Sequence, residues 1–361
     1  MKAWQRLIGN KKLWDKFFLR EKIIQAIRFF FIKNKFHEVE TPLLVPWVIP
    51  ESYLDVFETH LKDRNKRNIR KMYLTTSPEA YIKKLLVAGI GNCFEITKSF
   101  RNSETGSNLH NPEFTILEWY RIDADYFKIL RDCENLILHL NHIVRKNRGL
   151  SPSNYIQYQG KFIDLKPPWK KISVSEAMSK YAKISFADTI YKNKSKTADI
   201  FNNQKILKIA EKKGYNVKET DTWEALFNQI FLNEIEPCLA TLEEPVVVYD
   251  YPLPVSALAR RKPENPYLSE RFELYIGGLE LGDCYGELTD YNEQKRRFRE
   301  EAEKIKLEKS IKINIDINFI EALKIGLPRC SGIAVGIDRL VMLFLDTNNI
   351  SDTLIFSDMY K

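Results

Sequence analysis

Cysteine is sparse and scattered. Cys93, Cys133, Cys238, Cys284 and Cys330 form no CxxC pair, which excludes a zinc knuckle and a disulfide framework. A reducing cytoplasm is the expectation that follows. Glycine and proline number only 14 and 15 in 361 residues and follow no period, so collagen-like and low-complexity chains are excluded. No apolar run approaches the roughly 18 residues that cross a bilayer; the longest are residues 29–32 and 340–345. Residues 1–18 carry charges throughout and lack the apolar segment of a secretory leader. There is no GxxxxGK[ST] loop and no HExxH helix, and Gly89-Ile-Gly91 lacks the third glycine of a dinucleotide fingerprint.

What is present is ordinary in bulk. Hydrophobic residues make up 44% of the chain and charged residues 29%, enough for a sizeable core. The length fits two domains or one elaborated domain. The net charge of +8 permits a polyanionic partner, such as tRNA or an acidic protein. A lysine-rich composition accounts for it equally well.

Apolar spacing predicts an amphipathic helix over 19–35, a short strand over 36–42 stopped by Pro42, and an exposed loop over 60–72. A helix over 81–88 ends at Gly89 and Gly91. Strands over 93–100 and 113–120 flank a polar loop and form a long hairpin. Residues 125–145 read as a helix, and 150–215 as a Lys-rich inserted subdomain. Further strands are expected at 244–251, 271–281, 284–288 and 333–335, with helices at 292–307, 321–325 and 338–345. Strands joined by long irregular connections imply an α+β antiparallel sheet flanked by helices.

Three segments carry chemistry. In the first, Arg101 ends an apolar strand, with His110 and Phe114 across the loop. A planar cation, an imidazole and an aromatic face suit a nucleoside triphosphate with its base stacked; an ordinary exposed hairpin is the alternative. In the second, Glu273 and Glu280 lie among apolar strand neighbours. Acids there need a partner, either Mg²⁺ beside a triphosphate or a buried arginine. In the third, Cys330-Ser-Gly-Ile-Ala-Val-Gly-Ile-Asp-Arg339 combines small residues with an arginine opening a helix.

In this order the segments resemble the class II aminoacyl-tRNA synthetase motifs. Residues 36–42 are similar to motif 1, the hairpin to motif 2, and Gly336-Ile-Asp-Arg339 to motif 3. Thr76-Ser-Pro-Glu79, His110-Asn-Pro-Glu-Phe114 and Leu258-Ala-Arg-Arg261 look like the lysyl subgroup. Leu85-Leu-Val-Ala-Gly89, Leu117-Glu-Trp-Tyr-Arg121, Cys330-Ser-Gly332 and Ala334 resemble a paralogue of that subgroup lacking the anticodon-binding domain, the elongation factor P lysine or β-lysine ligases. On that resemblance residues 1–18 are an N-terminal extension and 19–361 the catalytic domain.

The resemblance implies ATP-dependent activation of lysine or (R)-β-lysine as an acyl-adenylate, with Mg²⁺. Transfer to a lysine of elongation factor P would follow, in a cytoplasmic homodimer. Two alternatives stand beside it: a lysine–tRNA ligase-like enzyme with tRNA as acceptor, and a non-catalytic paralogue. Arg101 and Arg339 would be catalytic. Glu104 or Ser103 would read the adenine, His110 would reach the outer phosphates, and Phe114 would stack on the base opposite Arg339. Glu273 and Glu280 would hold Mg²⁺. Glu79, Glu118, Tyr120, Asp283, Glu287 and Ala334 would surround the amino acid, because a dication needs an acid-rich pocket. Three departures stand out: a motif 2 loop one residue longer than usual, Leu109 where an arginine is common, and Asp283-Cys284 in place of Asn-Gly. Asp283 is therefore expected to add a negative charge beside the substrate carboxylate.

Overall fold

The computed structural model describes residues 3–52, 54–65, 69–190, 201–309 and 314–356, with residue 3 and residues 308–309 described by their backbone alone. In chain order the first elements are α1 (Ala3–Leu7), α2 (Lys11–Lys33), β1 (His37–Glu38), β2 (Leu44–Val45), β3 (Glu58–Lys62), β4 (Ile69–Leu74) and α3 (Glu79–Val87). They are followed by β5 (Cys93–Phe100), β6 (Glu113–Ile122), α4 (Tyr126–Asn147), β7 (Tyr155–Tyr158), β8 (Lys161–Asp164) and β9 (Lys170–Ser173). The helices α5 (Val174–Ala177), α6 (Asn203–Lys212), α7 (Trp223–Ile230) and α8 (Glu236–Leu239) lead to β10 (Val246–Tyr249), β11 (Arg271–Ile276) and β12 (Leu279–Gly286). The chain closes with α9 (Tyr291–Lys309), α10 (Ile317–Gly326), β13 (Cys330–Gly336) and α11 (Ile337–Leu345).

An eight-stranded sheet in the order β1-β5-β6-β13-β12-β11-β10-β9 organises these elements. Its inner pairs are antiparallel, and only the edge pairs β1–β5 and β9–β10 are parallel. This is the class II synthetase catalytic fold, an α+β sheet flanked by helices. Strand alternation sorts the side chains. Leu117 and Trp119, Ile333 and Val335, Phe272 and Leu274, and Cys284 all point to one face. There they pack against Ile23, Ile27 and Phe31 of α2, Leu136 and Leu140 of α4, and Leu340 and Leu343 of α11. The intervening residues are left for the opposite face. A second core joins β9, β10 and Tyr275 to the helices between 174 and 239. A third joins α3, α9 and α10. The two cores wall the open face of the sheet on either side.

Several sequence expectations needed correction. The exposed loop expected over 60–72 is instead the β3–β4 hairpin, in the register Glu58↔Tyr73 to Lys62↔Ile69, with residues 66–68 outside the described set. Both faces of β3 are exposed, so it carries no alternation to read. The strand expected over 271–281 turns at Gly277 and Gly278, both at positive φ (+62° and +85°), and β12 then runs unbroken to Gly286 where a break was expected. Strand β1 covers only His37–Glu38 of the strand expected over 36–42. The boundary expected at residue 18 falls inside α2. Within the expected inserted subdomain, the described residues 150–190 and 201–215 supply the β7–β8 hairpin, the edge strand β9 and part of the second core. Among the described residues no helix is long and apolar enough to cross a membrane.

Phe31 sits at the centre of the first core, with ring centres 4.9 to 5.1 Å from Phe94, Phe36 and Trp119. Phe31→Ala is expected to cost about 3–5 kcal/mol, read by denaturant unfolding. A loss below about 1 kcal/mol would show that this cluster does not anchor α2 to the sheet.

Candidate active site

The open face of the sheet holds the predicted residues in rows fixed by register. Glu118 on β6 lies opposite Ala334 on β13, Ala334 opposite Asp283 on β12, and Asp283 opposite Glu273 on β11. The next row runs Tyr120, Gly332, Tyr285, Arg271. Glu280 and Asp283 stand three apart, which places them on opposite faces of a regular strand. The register shift at Leu274/Tyr275 is a β-bulge that brings both into one cleft. Gly332 keeps the row close-packed: a Cβ there would lie 2.3 Å from the Tyr120 ring and 2.9 Å from Glu287 Oε1.

Two joined cavities occupy this face. The larger, about 530 Å³, is lined by Glu79, Glu118, Tyr120, Glu273, Asp283, Glu287 and Ala334, with Arg101, Glu104 and Glu280 at its junction with the smaller. The smaller, about 160 Å³, is lined by His110, Phe114 and Arg339 together with Arg101, Glu104 and Glu280. Glu104 lines both, whereas Ser103 faces a separate hollow. Every predicted site residue but Ser103, the alternative to Glu104, therefore lines one of the two cavities. A groove of about 610 Å³ lies elsewhere, between α2 and the hairpin. Its cations are each matched, Arg20 by Asp338, Arg28 by Glu38 and Lys98 by Glu113, so it offers no convergent polar set.

In the smaller cavity the Arg101 guanidinium stands 5.2 Å from the Phe114 ring centre and 3.8 Å from Glu104. Arg339 donates to the Leu109 carbonyl at 3.2 Å and the Glu280 carbonyl at 2.9 Å, and its Nη2 lies 2.8 Å from His110 Nε2. Burial, and then Arg339 itself, lower the His110 pKa, so the imidazole is neutral and accepts this bond.

The larger cavity is acidic, and its charge is handled in three ways. Arg271 grips Asp283 with two bonds of 2.9 Å and reaches Glu273 at 2.7 Å. It also donates to the Val255 carbonyl and lies 4.5 Å from the Tyr251 ring centre. The negative charge expected at Asp283 lines the cavity and is matched by Arg271. Burial still pushes the Asp283 carboxyl up, against Arg271. Second, hydroxyls serve Glu118, which has no cation, and share Glu273 with Arg271. Ser77 donates to Glu118 at 2.6 Å and Tyr120 at 3.0 Å. Burial, with Glu79 nearby, pushes Glu118 up to about 8. Tyr251 and Tyr275 donate to Glu273 at 2.6 and 2.5 Å. Burial, opposed by Arg271 and reinforced by Glu280 and Asp283, takes Glu273 to about 8. Third, Lys83 pairs with both Glu79 and Glu287.

Glu273 and Glu280 fit a divalent cation. Two carboxylates on one face, with Glu280 among the groups that raise Glu273, are a donor set that Mg²⁺ takes with phosphate oxygens completing its shell. Among the described residues no group of three or more His, Cys, Asp or Glu could hold a metal without such help.

Sequence reasoning missed Lys83, Arg271, Tyr251, Tyr275 and Glu236. Glu236 lies 3.2 Å from the Tyr275 hydroxyl and is pushed to about 7 by burial and Glu280. The spacing of Glu79 and Lys83, four apart on one helix, was the one visible signal.

Residues 2–360 match the family described as tRNA synthetases class II (D, K and N), and the chain belongs to it. It is 37% identical to the lysine–tRNA ligase of Buchnera aphidicola subsp. Schizaphis graminum over 98% of its length, and 38% identical to that of Wigglesworthia glossinidia brevipalpis, also over 98%. It is 37% identical to the lysine–tRNA ligase of Carboxydothermus hydrogenoformans over 97% of its length. It spans 66%, 67% and 66% of these relatives, respectively.

A raised carboxyl favours the folded protein while it holds its proton. That contribution is complete below the unfolded value near 4.5 and is lost as pH rises through about 8. Substrate-free Glu118→Gln is therefore expected to gain thermal stability over wild type at pH 8.5, and little or none at pH 4. An equal difference at both pH values would show that Glu118 is not held protonated by its burial.

Proposed function

We propose that the protein uses ATP and Mg²⁺ to activate a diamino acid of the lysine class, and passes the acyl group to a lysine amine of elongation factor P. One observation carries the activation step: an acid-lined chamber opens directly onto a chamber built from Arg101, His110, Phe114 and Arg339. The first suits a substrate with two ammonium groups, and the second a nucleoside triphosphate.

In this reading Phe114 and Arg339 sandwich the adenine, Glu104 reads its amino group and His110 reaches the outer phosphates. Arg101, at the junction, bonds the α-phosphate and the substrate carboxylate. A carboxylate oxygen attacks the α-phosphorus, the bond to the β-phosphate oxygen breaks, and pyrophosphate leaves. Arg101 offsets charge on the phosphoryl oxygens. Glu273 and Glu280 would hold Mg²⁺, which neutralises phosphate charge when bound. The acceptor amine then attacks the carbonyl carbon, AMP leaves, and the amine gives up a proton. No covalent enzyme intermediate is needed, so positioning and electrostatics supply the rate.

Ala334 supports a β-lysine over α-lysine as the substrate. Its methyl narrows the pocket wall between Glu118 and Asp283, and a β-amino acid carries its amine one carbon further from the carboxylate. The net charge of +8 suits an acidic protein acceptor. The relatives favour tRNA as the second reading, since all three are lysine–tRNA ligases. The exposed Phe18, Phe29 and Ile32 of α2, beside the segment similar to motif 1, support a homodimer. The reading places it in the cytoplasm.

ATP–pyrophosphate exchange with α-lysine, (R)-β-lysine and (S)-β-lysine tests the activation step. Exchange is expected with at least one, fastest with (R)-β-lysine, and Arg101→Ala should lower it by about 10²-fold or more. Exchange retained by Arg101→Ala contradicts the assignment. Labelled amino acid appearing on tRNA and not on elongation factor P would decide for the second reading.

A further inference from the structure

Lys83 is 1% exposed, and its ammonium sits between two carboxylates. It pairs with Glu79, one turn earlier on α3, and lies 2.5 Å from Glu287 Oε2 beyond the end of β12. Glu79 and Glu287 line the larger cavity, and Lys83 stands behind them. Around it are Glu118 and Tyr120 from β6, Arg260 beside Glu287, and Cys330 of β13. Burial works against its charge, but Glu287 and Glu79 outweigh that and hold the ammonium above its usual range.

A cation behind two buried acids changes what they offer the cavity. Each carboxylate has about four acceptor positions, and Lys83 takes one from each. It gives both a buried ion-pair partner, while both line the cavity with acceptor positions to spare. Glu118, satisfied by neutral hydroxyls, is the third acid. Three carboxylates and one ammonium leave two net negative charges once all are ionised, which matches the two ammonium groups of a diamino acid.

We propose that Lys83 is a specificity-determining positioning residue. Its ammonium pairs with Glu79 and Glu287 and aims both at the cavity, so the pocket selects a diamino acid over a monoamino acid of the same length. This inference rests on the function proposed above. It adds a determinant that touches no substrate and acts through the two acids.

The test measures ATP–pyrophosphate exchange with the better of lysine and (R)-β-lysine, and with norleucine, in wild type, Lys83→Met, Glu79→Gln and the double variant. Lys83→Met should raise the diamino acid KM by about 10–10²-fold, as expected when a charge-assisted bond is lost. The KM for ATP should stay within a few-fold, and the preference over norleucine should fall in proportion. The double variant removes the buried charge imbalance and serves if Lys83→Met does not fold. Its preference should lie below that of Glu79→Gln alone. Lys83→Met with wild-type KM and preference overturns the inference, as does a double variant equal to Glu79→Gln. Wild-type protein that exchanges with no diamino acid overturns the functional reading itself, and this inference with it.

Discussion

A carboxylate buried beside another carboxylate must be given a cation or a proton. The open face of this sheet repeats that demand at Glu79, Glu118, Glu273, Asp283 and Glu287. The molecule answers with resident cations where it has them: Arg271 for Asp283 and Glu273, and Lys83 for Glu79 and Glu287. Where it has none it uses hydroxyls and protons, as at Glu118. The acids left over at the cavity surface need the charge a substrate or a metal would bring. On the proposed reading, that charge is what binding supplies.

The sheet makes that arrangement rigid. Strand alternation gives Leu117, Trp119, Ile333, Val335 and Phe272 to the core beneath. The same alternation forces Glu118, Tyr120, Gly332, Ala334 and Glu273 to the face above. One bulge then recruits Glu280 to the face that already holds Asp283. The nucleotide-side residues come from a single hairpin and from the first turn of α11. Arg339 is fixed there by the Leu109 and Glu280 carbonyls. Positions held by backbone pairing need little reorganisation when a triphosphate binds, which is the condition for electrostatic catalysis.

Much of this was legible in the sequence. Arg101, Glu104, His110 and Phe114 fall within one short segment, and the strands 93–100 and 113–120 flanking their loop alternate clearly, so local order brought them together. Glu273 and Glu280 announced themselves as acids among apolar neighbours. What could not be read depends on register. Arg271 and Asp283 are twelve residues apart and meet only because β11 and β12 pair across a turn at Gly277–Gly278. The β3–β4 hairpin reads as a loop because β3 is exposed on both faces and only Met72 and Tyr73 of β4 are buried, side by side rather than alternating. The Glu79–Lys83 spacing was visible, but such a spacing is usually a surface pair. Only the packing of Cys93, Tyr120 and Cys330 against α3 makes it a buried one.

Proton release on amino-acid binding tests the central claim most directly. Calorimetric titration of the ATP-free protein near pH 7, in two buffers of different ionisation enthalpy, counts the protons exchanged. If Glu118 holds a proton until a second ammonium arrives, the diamino acid should release a substantial fraction of one proton, and norleucine much less. Binding of the diamino acid with no proton release, or with the same release as norleucine, would contradict the account.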